Sequence, residues 1–240
     1  VTQRLLVREG YRVTQIDVDR NLAARLKEVA PDVCFNALHG KFGEDGCVQG
    51  LLECLGIPYT HSGVLASALA MHKERAKAVI KPAGVPVAEA RILTRAEAAS
   101  VHALPPPYVV KPVDEGSSVG VLIIRPGNNE WSAAILSGGK PDDIVMIERY
   151  IAGRELTCAV IGGFVTDVIE IKPKDGLVFY DFEAKYAPGG SIHELPAKVL
   201  PDVYQLVRKY TGAAHTALGC RGVSRADFRY DDTPGGSGEL

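Results

Sequence analysis

Apolar and polar positions follow one another along this chain in short blocks, and the period of the blocks keeps changing. Residues 1–9 carry the spacing of a helix tail, with Gly10 following as its cap. Residues 11–17 read as a strand, 23–29 as a helix stopped by Pro31, and 33–37 as a second short apolar run. Helix–strand–helix–strand predicts a parallel α/β sheet. Residues 47–55 predict a helix with Asp45 as N-cap and Gly56 at its end. Residues 58–60 are short and extended, and 64–71 predict a helix capped by Ser62. Residues 72–80 are a basic helix with Lys73, Arg75 and Lys77, ended before Pro82; a solvated charged face is its plain reading.

The second part of the chain alternates faster. Residues 88–93, 144–148, 156–161 and 165–171 predict strands, the last two joined through Gly162-Gly163 as an antiparallel hairpin. Residues 95–100 (capped by Thr94), 129–136 and 201–218 predict helices, the last amphipathic and capped by Gly219. Residues 222–230 read as a strand with Arg225 and Asp227 on one face, because they are two apart. Glu239-Leu240 looks like the start of a further strand. Residues 175–196 have no clear period, yet they carry Phe179, Tyr180, Phe182 and Tyr186 and then Pro188-Gly189-Gly190. A long irregular segment rich in aromatics predicts a functional lid.

The stretch 109–120 reads Val-Val-Lys-Pro-Val-Asp-Glu-Gly-Ser-Ser-Val-Gly. Two β-branched runs joined by a small-residue loop predict strand–loop–strand. Such a loop lays N–H groups and hydroxyls against phosphate oxygens, with Lys111 supplying charge. An ordinary hairpin with a polar tip fits the stretch equally well. It is not a P-loop, because no Gly-Lys-Ser/Thr leads it into a helix. His39, beside glycines in the loop 38–46, is either a contact for a substrate carboxylate or a cap on its own loop.

Composition narrows the class. The 240 residues suit one large domain or two to three small ones, and 46% hydrophobic with 23% charged residues is ordinary globular usage. A formal net charge of −2 argues against a nucleic-acid surface or a polybasic membrane anchor, so any phosphate binding is local. The five cysteines are scattered with no Cys-x-x-Cys pair, which fits core thiols in a reducing cytoplasm. No apolar run approaches the ~20 residues that span a bilayer, and the first residues carry no signal-peptide h-region. A parallel sheet opens with a strand and a βα loop, whereas this chain opens inside a helix, so about one βα unit of roughly 30 residues is expected to be missing.

Several separated motifs occur in one order: Lys73 in Met-His-Lys-Glu-Arg-Ala-Lys, Lys111-Pro with Glu115-Gly-Ser-Ser-Val-Gly, Glu148 with Glu155, Glu183-Ala-Lys-Tyr186, and Arg225-Ala-Asp227. Phe35-Asn-Ala-Leu-His-Gly40, Glu44-Asp-Gly46 and Pro58-Tyr-Thr60 belong to the same pattern. Together they closely resemble the D-alanine–D-alanine ligases of the ATP-grasp superfamily, over essentially the whole chain.

The resemblance implies a mixed α/β and α+β architecture. A Rossmann-like α/β N-terminal domain (1–72) would precede an ATP-grasp central subdomain (73–153) and a C-terminal subdomain (154–240) with lid 175–196, the whole incomplete at both termini. It implies ligation of two D-alanine molecules through an acyl phosphate, for peptidoglycan precursor synthesis, with ATP and Mg²⁺ (or Mn²⁺). Homodimers, no nucleic-acid or membrane partner, and a cytoplasmic location go with it. Lys73 and Lys111 would contact the ATP phosphates, and Glu115, Gly116, Ser117 and Ser118 would form the loop over them, Ser117 also near the first substrate. Glu148, Tyr150 and Ile151 would read adenine, Glu155 the ribose, and Phe179 would line the base. Lys185 and Tyr186 would close as a lid, Arg225 would stabilise the tetrahedral oxyanion, Asp227 would ligate the metal, and His39 would lie near the first D-alanine.

Departures qualify the resemblance. The family's opening glycine-rich loop with its glutamate, and its Glu-x-Asn metal ligands, have no counterpart in these residues. The 240 residues alone are therefore expected to be inactive or nearly so. Another ATP-grasp carboxylate–amine ligase, for instance one making a depsipeptide, is the first alternative, against which Tyr186 speaks. A non-catalytic nucleotide-binding relative is the second, against which Lys111, Arg225 and Asp227 speak.

Overall fold

The computed structural model describes residues 2–116, 120–173 and 191–240. The opening part is built of short helices, α1 (Thr2–Arg8), α2 (Leu22–Val29), α3 (Cys47–Leu55) and α4 (Val64–Met71). Leu22 and Leu26 lie four apart on α2 and pack against Val48 and Leu52, also four apart, on α3. Ile16, Cys34, Leu38 and Tyr59 close around this cluster. Gly56, at φ 66°, ends α3 where the sequence pattern places its cap.

Several local expectations give way here. Residues 11–17 form no strand, because no described strand runs beside them to complete a hydrogen-bond ladder. The 33–37 run finds only a single parallel bridge, Cys34 to Tyr59. The N-cap of α3 is Gly46, at φ 93°, and not Asp45. Asp45 instead accepts from the backbone N–H groups of Phe42 (2.8 Å) and Cys47 (2.9 Å). Those bonds hold its carboxyl below the ordinary aspartate range against the opposing effect of burial. Gly63 rather than Ser62 precedes α4 as its cap, and the Ser62 hydroxyl turns to Arg221.

After α5 (Lys73–Ile80) comes a four-stranded antiparallel sheet in the order β1-β4-β2-β3: β1 (Ala90–Thr94), β2 (Tyr108–Pro112), β3 (Leu122–Ile124) and β4 (Ile144–Arg149). The helices α6 (Arg95–Ser100) and α7 (Trp131–Ser137) pack on one another and on this sheet. A capping box between Thr94 and Glu97 starts α6. Strand alternation sends Tyr108, Val110, Val145 and Ile147 into the core with Ala98 and Ile135. The same alternation leaves Lys111, Met146 and Glu148 on the opposite face, and that separation positions the site.

The second sheet centres on β5 (Arg154–Ile161). β6 (Phe164–Val165) and β7 (Ile169–Pro173) pair with its two ends, β8 (Ser191–Glu194) adds to β7, and β9 (Val223–Tyr230) takes its other edge. α8 (Pro201–Ala217) covers one face, burying Val207 with Leu156, Cys158, Val168 and Tyr230. The single strand expected over 165–171 is thus two. Between them the Thr166 hydroxyl accepts from Ala159 N–H at 3.1 Å, and the Tyr204 hydroxyl accepts from Val168 N–H at 3.1 Å. Side chains there take the place of ladder partners. The irregular segment expected over 175–196 is corrected at its end, where β8 pairs with β7. Residues 175–190, with Phe179, Lys185 and Tyr186, lie outside the described residues, as do Ser117 and Ser118. Glu239-Leu240 forms no strand; the Glu239 carbonyl accepts from Asp231 N–H and closes a turn.

Candidate active site

The first turn of α5 docks on the loop that follows β2. The Lys73 backbone N–H donates to the Val113 carbonyl (2.8 Å) and its Nζ donates to the Glu115 carbonyl (2.6 Å). Burial, with Lys111 close by, lowers the Lys73 pKa to about 8 even though Asp114, Glu115 and Glu148 pull it up. A half-buried lysine bound to a neutral carbonyl is a charge held ready for an anion.

Glu148 on β4 receives both Lys111 of β2 and Lys77 of α5. Its side chain is only 15% exposed, and those of Lys111 and Lys77 are 20% and 21% exposed. Burial alone would raise the Glu148 pKa, but the two ammonium groups outweigh it and hold the carboxyl below its usual value. Lys77 is pushed down, chiefly by burial. The basic helix is therefore not a solvated face: Lys73 and Lys77, one turn apart, both turn inward. Lys77 ends the motif that carries Lys73 but has no role in it, and its four-residue spacing from Lys73 is the signal that the two share one face.

The second cluster lies on β5 and β9. Their register sets Glu155 opposite Arg229, Thr157 opposite Asp227 and Ala159 opposite Arg225, on one face. Thr157 Oγ1 donates to Asp227 Oδ1 at 2.7 Å, and the Arg225 guanidinium meets both Asp227 oxygens at 3.0 Å. Asp227 thus presents an oriented carboxylate next to a cation. Among the described residues no group of three or more His, Cys, Asp or Glu side chains is arranged to hold a metal. One carboxylate still fits Mg²⁺, which keeps several waters and binds through one or two protein carboxylates plus substrate phosphates.

Between the clusters the chain runs through Tyr150–Gly153, a strap without strand pairing. Tyr150 N–H donates to the Pro107 carbonyl at 3.3 Å. Gly153 has φ +80°, and a Cβ there would meet the Tyr230 carbonyl oxygen at 2.2 Å, so only glycine lets the strap lie against β9.

The loop 38–46 comes to the same region. A Cβ on Gly116 would lie 3.2 Å from the Gly40 Cα and 3.7 Å from Glu44 Oε2, which puts the start of the Gly-Ser-Ser segment directly against this loop. Glu44 Oε2 accepts from Gly40 N–H at 2.5 Å and holds its shape. His39 is exposed on it. The structure therefore brings Lys73, Lys111, Glu115, Gly116 and Glu148 together, and separately Glu155, Arg225 and Asp227, with Tyr150 and Ile151 between them.

Family models for the D-ala D-ala ligase N-terminus and C-terminus match residues 7–62 and 79–236. The chain is 61% identical over 236 residues to a D-alanine–D-alanine ligase of Parvibaculum lavamentivorans, covering 98% of this chain and 76% of that protein. It is 60% identical over 233 residues to one of Methylobacterium radiotolerans, with 97% and 76% covered. Among solved structures it is similar to the D-alanine–D-alanine ligase of Bacillus anthracis complexed with ATP, at TM-score 0.73 and 28% identity, covering 93% of this chain and 72% of that one. It is also similar to the VanG D-Ala:D-Ser ligase of Enterococcus faecalis, at TM-score 0.72 and 36% identity, covering 87% and 61%.

Proposed function

The chain belongs to the D-alanine–D-alanine ligase family, and from that premise we propose how its residues carry the reaction. The reaction is the ATP-dependent joining of two D-alanine molecules through an acyl phosphate, releasing ADP and phosphate, for peptidoglycan precursor synthesis. Phosphorylation gives the first carboxylate a leaving group that the amine of the second D-alanine can displace. The observation that carries the reading is the placing of a lysine cluster and a carboxylate cluster on two sheets joined by the Tyr150–Gly153 strap.

We assign residues 1–72, 73–153 and 154–240 to an N-terminal domain and two ATP-grasp subdomains. Lys73 and Lys111 place charge on the phosphates, beneath the loop of Glu115, Gly116, Ser117 and Ser118. Glu148, anchored by two lysines and kept ionised, retains lone pairs for an adenine amine. Tyr150, Ile151 and Phe179 surround the base, and Glu155 accepts from the ribose. Lys185 and Tyr186 close over the reacting groups and exclude water. Arg225 neutralises the developing oxyanion, and His39 faces the first D-alanine. Asp227 would hold the Mg²⁺ or Mn²⁺, which supplies charge neutralisation on phosphate oxygens. A homodimer in the cytoplasm completes the proposal. Among the described residues no helix is long and apolar enough to cross a membrane.

The test is phosphate release by the intact protein with ATP, Mg²⁺ and D-alanine, with the product identified. D-alanyl-D-alanine is expected. No turnover, or a dominant product with D-lactate or D-serine supplied beside D-alanine, overturns the assignment.

A further inference from the structure

Strand β9 carries a third side chain on the face of Arg225 and Asp227, and motif reading gave it no role. Arg229 stands opposite Glu155. Its Nε donates to the Ile151 carbonyl at 3.1 Å, and one terminal nitrogen donates to the Gly153 carbonyl at 2.9 Å. The other terminal nitrogen lies 3.8 Å from a Glu155 carboxylate oxygen. The guanidinium carbon sits 5.9 Å from the centroid of the Tyr150 ring. One side chain thus touches Tyr150, Ile151, Gly153 and Glu155.

The geometry is specific to arginine. The strap lacks strand partners, so its carbonyls must find donors elsewhere. A planar fork with five N–H donors can serve two carbonyls and a carboxylate at once while its face meets an aromatic ring. Lysine offers one point charge, and methionine offers no donor. The opposite end of the strap is fixed by Tyr150 N–H on the Pro107 carbonyl. Arg229 is therefore the bolt between the strap and the strand that carries Arg225 and Asp227.

We propose that Arg229 is a positioning residue for the nucleotide: it sets the strap and the Glu155 carboxylate where they take the base and the ribose hydroxyls. This rests on the reading that residues 150–155 form the base and ribose side of an ATP site. On that reading D-alanine and the transferring phosphate bind away from residues 150–155, so the defect should be selective for the nucleotide.

The experiment compares wild type, Arg229→Lys and Arg229→Gln in the intact protein, with ATP and with 2′-deoxy-ATP, by direct nucleotide titration and by steady-state kinetics. Loss of the two hydrogen bonds to the strap carbonyls is expected to raise Kd and KM for ATP by about thirtyfold in Arg229→Gln, since each net bond is worth ~1 kcal/mol. KM for D-alanine should move far less. Preference for ATP over 2′-deoxy-ATP should shrink in Arg229→Gln, and Glu155→Gln added on top should cost less than it does alone. Arg229→Lys, which keeps the charge and loses the fork, should fall between the two, and it serves as the informative variant if Arg229→Gln does not fold. Equal changes in both KM values, or an unchanged 2′-deoxy ratio, overturns the proposal. Wild type that binds ATP without ligating D-alanine would sink the ligase reading while leaving this test standing.

Discussion

Ser62 and Arg221, 159 residues apart in sequence, exchange two hydrogen bonds: the Ser62 hydroxyl donates to the Arg221 carbonyl and accepts from the Arg221 N–H, both at 3.3 Å. The contact extends outward. The Arg221 guanidinium lies 4.9 Å from the Tyr59 ring centroid and 3.7 Å from Glu53, to which the Tyr59 hydroxyl donates at 2.7 Å. The helical opening part of the chain is latched here to the turn that leads into β9, four residues ahead of Arg225. The Arg221–Glu53 pair is more than half exposed and adds little. Arg221→Ala is expected to cost about 1 kcal/mol, mostly through the lost ring contact, and to lower Tm by about 2–4 °C. Thermal unfolding checks this; an unchanged Tm would show that the latch carries no stability.

Lys73 predicts a pH dependence. Its pKa is lowered to about 8 by burial and by Lys111, against Asp114, Glu115 and Glu148. A lysine whose folded pKa lies below its unfolded one destabilises the fold while charged, and that cost is relieved as pH rises from about 8 toward the ordinary lysine range. Nucleotide binding has the opposite sign: the charge that attracts phosphate is present below pH 8 and is lost above it. ATP affinity should therefore fall as pH rises through about 8 in wild type, and Lys73→Gln should lose that step. Calorimetric titrations at several pH values measure both.

Glu148 compensates two largely buried lysines. Glu148→Gln leaves Lys77 and Lys111 side by side without a counter-charge, and we expect a loss of about 3 kcal/mol at neutral pH. Adding Lys77→Met should recover part of it. In wild type the depressed Glu148 pKa contributes stability that is present above the ordinary glutamate value and disappears as pH falls through the folded one. Denaturant unfolding of the two variants, read as midpoint shifts, decides whether the cluster is coupled in this way.

Gly153→Ala places a methyl carbon at 2.2 Å from the Tyr230 carbonyl oxygen, at a positive φ. The strap must lift off β9, at a cost of about 2 kcal/mol or more. Stability and ATP affinity should drop together, in contrast to Gly84→Ala, where φ is also positive but the space is open. Equal effects of the two substitutions would mean that backbone strain alone explains Gly153.

Asp227→Asn removes one charge from the proposed metal site while Thr157 can still donate to its oxygen. The Mg²⁺ concentration for half-maximal turnover should rise by about tenfold or more, and excess chelator should abolish wild-type turnover. A variant with an unshifted Mg²⁺ curve would remove Asp227 from the metal set.

The amino-acid sequence by itself determined the helices α3, α5, α6 and α8, the strands β2, β4, β5 and β9, and the order of the family motifs. These follow from rules that act within a few residues: apolar spacing, capping by Thr94 and Gly56, and the two-residue period that places Arg225 and Asp227 on one face. Only the tertiary structure decided whether an extended run became a strand, because a ladder needs a neighbour: 11–17 has none among the described residues, and 191–194 has β7. It also decided which charges point inward. Lys77 reads as a surface lysine until Glu148 and the buried face of β4 arrive beside it. Arg229 reads as a strand-end charge until the strap lies within its reach. Local sequence sets the direction of a side chain, whereas its partner comes from residues tens of positions away, so the Lys77 and Arg229 roles existed only once the two sheets and the strap had been assembled.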